Sequence, residues 1–178
     1  MKFKAEILTE IEIDKALKRL SHEIIENCNL ENVVLVGIKT RGVPLAKIIA
    51  SYIKKFADTD ITIGEIDISL YRDDLSPVSD GAILNEDKLD FPIKDKDIIL
   101  VDDVIYTGRT IRAAIEGIFK NGRPSHIKLA ILIDRGHREL PIRGDFIGKN
   151  VPTAKHEQIV VNIDSIDGKT NVELWDRE

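Results

Sequence analysis

The apolar and polar positions along the chain follow two different patterns. Between residues 10 and 27 the apolar residues recur every three or four positions, which predicts an amphipathic helix. Thr9 and Glu12 have the spacing of a capping box and predict that the helix begins at residue 10. Residues 33–38 are a short, continuous apolar run instead, which is typical of a strand buried on both faces of a parallel sheet.

These two patterns alternate along the rest of the chain. Further helices are predicted over 43–56 and 110–120, and further strands over 61–70, 98–101, 127–133 and 159–163. Residues 3–8 and 173–175 are short strand candidates, the second at a sheet edge, whereas 71–96 and 134–153 are predicted to be irregular. The alternation predicts an α/β fold with a central, mainly parallel sheet flanked by helices. With no repeat or linker, residues 1–178 are predicted to form a single domain.

Composition excludes several classes of protein. With 43% apolar and 32% charged residues, the chain is neither intrinsically disordered nor a membrane bundle. The start after Met1 lacks an apolar signal segment, so we expect a cytoplasmic protein. Cys28 is the only cysteine, which excludes a disulfide framework and a multi-cysteine zinc site and favours a small, buried or half-buried apolar role.

The charge is unevenly distributed. The net charge of −5 excludes a uniformly basic nucleic-acid binder. Residues 135–156 nevertheless carry a net charge of +3, so a local basic face remains compatible with the sequence.

Polar residues follow three of the predicted strands, at 39–42, 102–110 and 134–138. Ligands of open α/β sheets bind at the carboxyl ends of the strands, so these loops are expected to line one cleft if the strands are neighbours. In the middle loop, threonine hydroxyls, a glycine and a helix start suit a phosphate monoester. The carboxylates of Asp102 and Asp103 suit ribose hydroxyls or Mg²⁺. Taken alone, the loop is also compatible with a solvated strand end and an ordinary turn.

The segment Ile98–Thr110 resembles the thirteen-residue phosphoribosyl-pyrophosphate (PRPP) motif of type I phosphoribosyltransferases. Segments 36–42, 64–75, 134–143 and 148–153 resemble, within that superfamily, the PyrR family of pyrimidine-operon regulators that are also uracil phosphoribosyltransferases. The resemblance runs from about residue 5 to about residue 165. It implies the type I phosphoribosyltransferase fold, with a long flexible active-site loop and a small hood over the base site.

The resemblance also implies roles for the matching residues. Those that bind PRPP or nucleotide are Lys39, Thr40, Arg41, Gly42, Asp102, Asp103, Val104, Ile105, Tyr106, Thr107, Gly108, Arg109 and Thr110. Residues 39–42 match the pyrophosphate loop, in which superfamily members often have a non-proline cis peptide bond. Asp102, Asp103, Arg41 and Arg72 are implied to act in catalysis, with Mg²⁺ carried by PRPP and the two aspartates as its protein ligands. Arg135 and Ile159 are implied to line the base pocket.

The implied reaction is that of uracil with PRPP to give UMP and pyrophosphate. The implied regulatory partner is an attenuator stem-loop in the leader of pyrimidine-operon mRNA, bound by a homodimer or a higher oligomer when UMP is present. Candidate RNA contacts are Lys18, Arg19, His22, Arg138, Arg143, Lys149 and Lys155.

Three other functions share some of these features. The chain could be a phosphoribosyltransferase that has lost RNA binding, an RNA regulator that only senses nucleotides, or a hypoxanthine-type transferase. The intact Asp102, Asp103 and Arg41 argue against the pure sensor. The base pocket distinguishes a hypoxanthine-type transferase from a uracil phosphoribosyltransferase.

Overall fold

The computed structural model describes residues 1–68 and 89–177. None of the helices in this part of the chain is long and apolar enough to cross a membrane. In chain order, the elements are β1 Lys2–Leu8, α1 Glu10–Asn27, β2 Val33–Ile38, α2 Gly42–Ala57, β3 Thr62–Ile66, β4 Asp97–Ile105, α3 Arg109–Asn121, β5 His126–Asp134, β6 Phe146–Asn150, β7 Glu157–Asn162, α4 Asp164–Asp167 and β8 Asn171–Asp176.

Five parallel strands form the central sheet, in the order β3-β2-β4-β5-β6. Alternate residues of the strands enter two different cores. Leu35 and Ile99 pack with α1 and α2 on one face, whereas Val36 and Leu100 pack with α3 on the other. Both predictions, of a parallel sheet and of strands buried on two faces, are confirmed.

Three antiparallel strands form a second sheet, in the order β1-β8-β7, which we call the hood. An ion pair between Lys4 and Glu157 ties its two outer strands together. Buried hood residues such as Leu8 and Val161 belong to the same core as Leu35 of the central sheet. The hood is therefore packed firmly against the side of the central sheet that carries α1 and α2.

Several predicted boundaries are confirmed and others are wrong. The capping box of Thr9 and Glu12 begins α1, as predicted. Residues 134–153 are not irregular throughout, because β6 pairs with β5 there; a glycine and a lysine interrupt its apolar pattern. Residues 173–175 belong to the middle strand of the hood rather than to an edge. The predicted strand 61–70 is shorter, since β3 ends at residue 66.

The predicted loop 71–96 lies largely outside the described residues, and so does Arg72. Residues 89–96 contain neither helix nor strand, in line with the prediction for that part. Leu89 and Ile93 are buried there against the α3 side of the sheet, so the end of the loop is anchored.

Candidate active site

The three polar loops identified in the sequence meet at one edge of the central sheet. β2, β4 and β5 are adjacent and parallel, so the residues that follow them lie side by side. The chain leaves β2 through α2 on one face of the sheet and leaves β4 through α3 on the other, which makes this pair of strands the topological switch point. Clefts at such switch points are where open α/β sheets bind ligands.

The first loop, 39–42, is fixed closely to its surroundings. The peptide bond between Lys39 and Thr40 is cis, as the resemblance implies. The backbone N–H of Lys39 donates to the carbonyl of Ile66 at 2.9 Å. A side chain at Gly42 would place its Cβ 2.2 Å from the carbonyl oxygen of Val101, so glycine is required for α2 to begin this close to β4.

Arg41 extends from this loop towards the hood. Its Nη2 and Nε donate to the carboxylate of Asp167 in α4, at 2.8 and 3.3 Å. Both side chains are partly buried, with 33% of Arg41 and 18% of Asp167 exposed. Sequence reasoning did not find Asp167, because it lies in a four-residue helix outside every motif.

The acidic pair lies inside β4 rather than beyond its end, because the strand continues to Ile105. Asp102 is 7% exposed and Asp103 is half-buried. Burial raises the pKa of both carboxyls, and the charge of Asp103 raises the pKa of Asp102 further. The positive charge of Arg41 acts in the opposite direction on the pKa of Asp103, which places this guanidinium within electrostatic reach of the pair.

The phosphate loop follows β4 and begins α3. Gly108 has a φ of +95°, a conformation that strongly favours glycine, and immediately precedes the helix. The carbonyl of Thr107 accepts from the backbone N–H groups of Glu139 and Leu140, at 2.9 and 3.2 Å. The side chain of Arg109 points outward to Glu139, with its Nη2 2.8 Å from a carboxylate oxygen. The loop after β5 therefore holds the phosphate loop in place through backbone hydrogen bonds and one ion pair.

The other residues of the PRPP motif differ in exposure. Val104 and Thr110 are half-buried, Ile105 is buried, and Tyr106 is 37% exposed. The ring of Tyr106 lies under the guanidinium of Arg135, 4.1 Å from its central carbon, and meets the ring of His137 edge-on.

Arg135 links the central sheet to the hood. It is only 5% exposed, and it donates to the carbonyls of Ala154 and Glu157 at 3.2 and 2.7 Å and to Thr153 Oγ1 at 3.1 Å. Ile159, the other base-pocket candidate, is buried two residues further along β7. The structure thus places both candidates where the hood joins the end of β5.

Four of the RNA-contact candidates lie on α1 and β6, which pack together on one side of the molecule. Arg19 donates to the carbonyl of Ile147 at 3.2 Å, so it holds these two elements together, and Lys149 is exposed next to it on β6. Lys18 pairs with Asp14 within α1 at 2.6 Å. The fourth candidate, His22, stacks on the ring of Phe56 in α2.

The remaining RNA candidates lie elsewhere. Arg138 is engaged within the loop after β5, where it donates to the carbonyls of Ile142 and Tyr106, both at 2.8 Å, and pairs with Asp134. Arg143 is exposed in the same loop, and Lys155 is exposed in the turn before β7. The seven candidates therefore lie on four separate segments: α1, β6, the loop after β5 and the turn before β7.

Comparison with known proteins identifies the family. Residues 5–166 match the phosphoribosyl transferase domain family. The bifunctional protein PyrR of Clostridium novyi is 52% identical over 178 residues, covering 99% of this chain and 100% of the relative. The bifunctional protein PyrR of Thermus thermophilus is 50% identical over 179 residues, covering 100% of this chain and 99% of the relative.

Solved structures with the same fold include two other phosphoribosyltransferases. A hypoxanthine phosphoribosyltransferase from Staphylococcus aureus superposes with a TM-score of 0.72 at 20% identity, covering 97% of this chain and 92% of that one. A hypoxanthine-guanine phosphoribosyltransferase from Bacillus anthracis superposes with a TM-score of 0.72 at 21% identity, covering 97% of this chain and 98% of that one. At this identity the similarity establishes the fold, whereas the full-length similarity above establishes the family. The chain belongs to the PyrR family, bifunctional proteins that regulate pyrimidine operons by attenuation and form UMP as uracil phosphoribosyltransferases.

Proposed function

We propose that the edge of the sheet formed by residues 39–42, 102–110 and 134–138 transfers the ribose phosphate of PRPP to N1 of uracil. The observation that carries this proposal is the convergence of an acidic pair, a phosphate loop and an arginine-bearing loop at the switch point of one parallel sheet. Loop 39–42 matches the pyrophosphate of PRPP and residues 102–110 match its ribose and 5′-phosphate, while loop 134–138 borders the proposed base pocket. We further propose that residues 1–178 act as one domain, because buried residues of both sheets share one core.

The work of each group follows from its chemistry. The start of α3, with Thr107, Gly108 and Thr110, binds the 5′-phosphate through N–H groups, hydroxyls and the helix dipole. Asp102 and Asp103 accept hydrogen bonds from the ribose hydroxyls. As pyrophosphate departs, positive charge develops at the anomeric carbon and negative charge on the leaving group. Loop 39–42, with Arg41, binds and stabilises that leaving group.

N1 of uracil bonds to the anomeric carbon as the bond to pyrophosphate breaks, and the N1 proton passes to the departing pyrophosphate, so the reaction needs no protein nucleophile. The pocket next to Arg135 and Ile159 orients the base so that N1 faces this carbon. The implied role of Arg72 in catalysis remains a prediction from the sequence, because Arg72 lies outside the described residues.

The site would hold Mg²⁺ together with PRPP. Among the described residues, no group of three or more histidines, cysteines or acidic residues is arranged to hold a metal on its own. Two carboxylates, Asp102 and Asp103, are nevertheless present, and carboxylate oxygens are preferred Mg²⁺ ligands. The pair fits an ion shared with the substrate, and the ion neutralises charge on the pyrophosphate when it is bound.

A competition between bases tests the proposed reaction. With PRPP and Mg²⁺, we expect UMP formation from uracil with a kcat/KM at least about ten-fold above that for hypoxanthine. Chromatographic separation of UMP from IMP, with both bases present at equal concentration, measures the ratio directly. Preferential formation of IMP would assign the base pocket to the hypoxanthine-type alternative.

The regulatory function requires a surface for the leader stem-loop of the operon transcript. We propose that the α1–β6 side carries it, since Lys149 and His22 lie there on elements joined by Arg19. A homodimer would present this side twice, which would offset the net charge of −5 locally. The site of action is then the cytoplasm, where the transcript is made.

Replacing Lys149 with Ala is expected to weaken binding of the leader stem-loop and to reduce the slope of log K against log salt by about one for each phosphate that is no longer neutralised. Filter retention with and without UMP, over a salt series, measures both quantities. Lys120→Ala removes the same charge from the end of α3, on the opposite side of the central sheet, and should leave the slope unchanged.

Two results would contradict this assignment. If Lys149→Ala and Lys120→Ala changed the affinity and the salt slope equally, the α1–β6 side would not be the RNA-binding surface. Wild-type binding no tighter than to a scrambled RNA, together with normal UMP formation, would favour the alternative of an enzyme that has lost its regulatory function.

A further inference from the structure

Arg41 and Asp167 connect two parts of the molecule that are distant in sequence. Arg41 belongs to the pyrophosphate loop, residues 39–42, and is the N-cap residue of α2. Asp167 is the last residue of α4, which follows the hood strand β7. Nη2 of Arg41 donates to one carboxylate oxygen at 2.8 Å, and Nε donates to the other at 3.3 Å. This two-point contact fixes the plane of the guanidinium as well as its position.

Asp167 is itself held firmly. The backbone N–H of Ile163 donates to its Oδ2 at 2.9 Å, and its own backbone N–H donates to the carbonyl of Ile163 at 2.8 Å. The turn closes at Gly168, which has a φ of +68° and donates its N–H to the carbonyl of Asp164. The side chain of Ile163 is buried in the main core, so the carboxylate is attached to a rigid part of the hood.

The contact leaves part of the guanidinium available. Within residues 1–68 and 89–177, Arg41 donates from Nε and from one N–H of Nη2, both to Asp167, which leaves Nη1 and the second N–H of Nη2 for an anion. Arg41 is 33% exposed and lies within electrostatic reach of Asp103, at the edge where the leaving group of PRPP would lie. An arginine fixed on one side by a carboxylate presents its other side without losing rotamer freedom on binding.

We propose that Asp167 is a positioning residue that holds Arg41 ready for the pyrophosphate group of PRPP. This inference rests on the role proposed above for Arg41. It assigns a function in the reaction to the turn after β7, which no sequence motif indicated. The hood then contributes to pyrophosphate binding as well as covering the base.

Asp167→Asn tests the proposal, because an amide keeps the shape of the side chain and can still accept from Ile163 but loses its charge. We expect the KM for PRPP to rise about ten-fold, while the KM for uracil changes less than about two-fold. A residue with a purely structural role would change both or reduce the amount of active enzyme. Asp164→Asn, an exposed aspartate in the same turn, is the matched control and should change neither.

A double-mutant cycle separates the possible failures. In an Arg41→Gln background, Asp167→Asn should have no further effect on the KM for PRPP, since it acts through Arg41. If Arg41→Gln changes the use of PRPP but Asp167→Asn leaves its KM unchanged or lowers it, Asp167 does not position Arg41. If Arg41→Gln itself leaves the use of PRPP unchanged, the proposed role of Arg41 fails first. Thermal melting of each variant checks that it is folded.

Discussion

Asp102→Asn is expected to give a protein that is more stable than the wild type and has lost most of its transferase activity. Asp102 is 7% exposed, and burial raises the pKa of its carboxyl well above the usual range, with a further contribution from Asp103. An ionised pair at this position costs free energy in the folded state. The acidic pair is retained in the interior of β4 because it binds the ribose of PRPP, so its function outweighs its cost in stability.

The raised pKa of Asp102 determines how the stability of the wild type changes with pH. Above the ordinary aspartate pKa of about 3.9, the carboxyl is ionised in the unfolded chain but still protonated in the folded one. The folded state then binds more protons, so the stability of the wild type falls as the pH rises from that value to the raised pKa of Asp102. Asparagine does not titrate, so the stability advantage of Asp102→Asn should grow across this window.

Thermal melting between pH 4 and pH 8 measures the stability difference, and UMP formation measures the activity. Loss of a charged acceptor for a ribose hydroxyl should reduce kcat/KM by about 10²-fold. Asp90→Asn is the matched control, since the same chemical change at an exposed aspartate should alter neither quantity. A destabilised Asp102→Asn protein would mean that the carboxylate is held by favourable contacts and not at the expense of stability.

Much of the central sheet could be predicted from the sequence, because its strands are buried on both faces. Continuous apolar runs at 33–38, 98–101 and 127–133 carry this signal directly. Edge strand β6 carries little of this signal, since it pairs on one side only within the part of the chain that the structure describes and contains a glycine and a lysine. The hood strands were found in part, but their order was not, because it depends on contacts between residues far apart in sequence.

The candidate site, like the fold, could be predicted where the signal is local and not where it depends on contacts distant in sequence. Residues 39–42 and 102–110 form local motifs, so their chemistry could be inferred before their positions were known. The partner of Arg41 could not, because Asp167 is 126 residues away and is brought to it only by the packing of the hood. Arg138, a candidate RNA contact by its charge, is instead bound to Asp134 and to two carbonyls, which composition cannot indicate.

Arg135→Ala is expected to cost about 3 kcal/mol of unfolding free energy, because it removes charge-assisted hydrogen bonds from a buried position. The carbonyls of Ala154 and Glu157 would lose their donor, and Tyr106 would lose the guanidinium above its ring. These contacts join the end of β5 to the segment that leads into β7. The loss should therefore loosen the hood in particular, together with the base pocket beneath it.

Trp175, the only tryptophan, lies in the middle strand of the hood and reports on this region separately. In urea, we expect the tryptophan fluorescence of Arg135→Ala to change at a lower concentration than the helical circular dichroism, most of which comes from α1, α2 and α3. UMP binding by calorimetry should weaken in parallel. Arg177→Ala removes an exposed hood arginine bonded to Gln158 and should cost no more than about 0.5 kcal/mol.

Arg135→Lys distinguishes charge from geometry. Lysine keeps the positive charge but cannot reach Thr153 and both carbonyls at once, as the planar guanidinium does. We therefore expect stability and UMP affinity between those of the wild type and the alanine variant. If lysine restored both fully, the charge alone would hold the hood, whereas an alanine variant as stable as the wild type would show that the shared apolar core attaches the hood without Arg135.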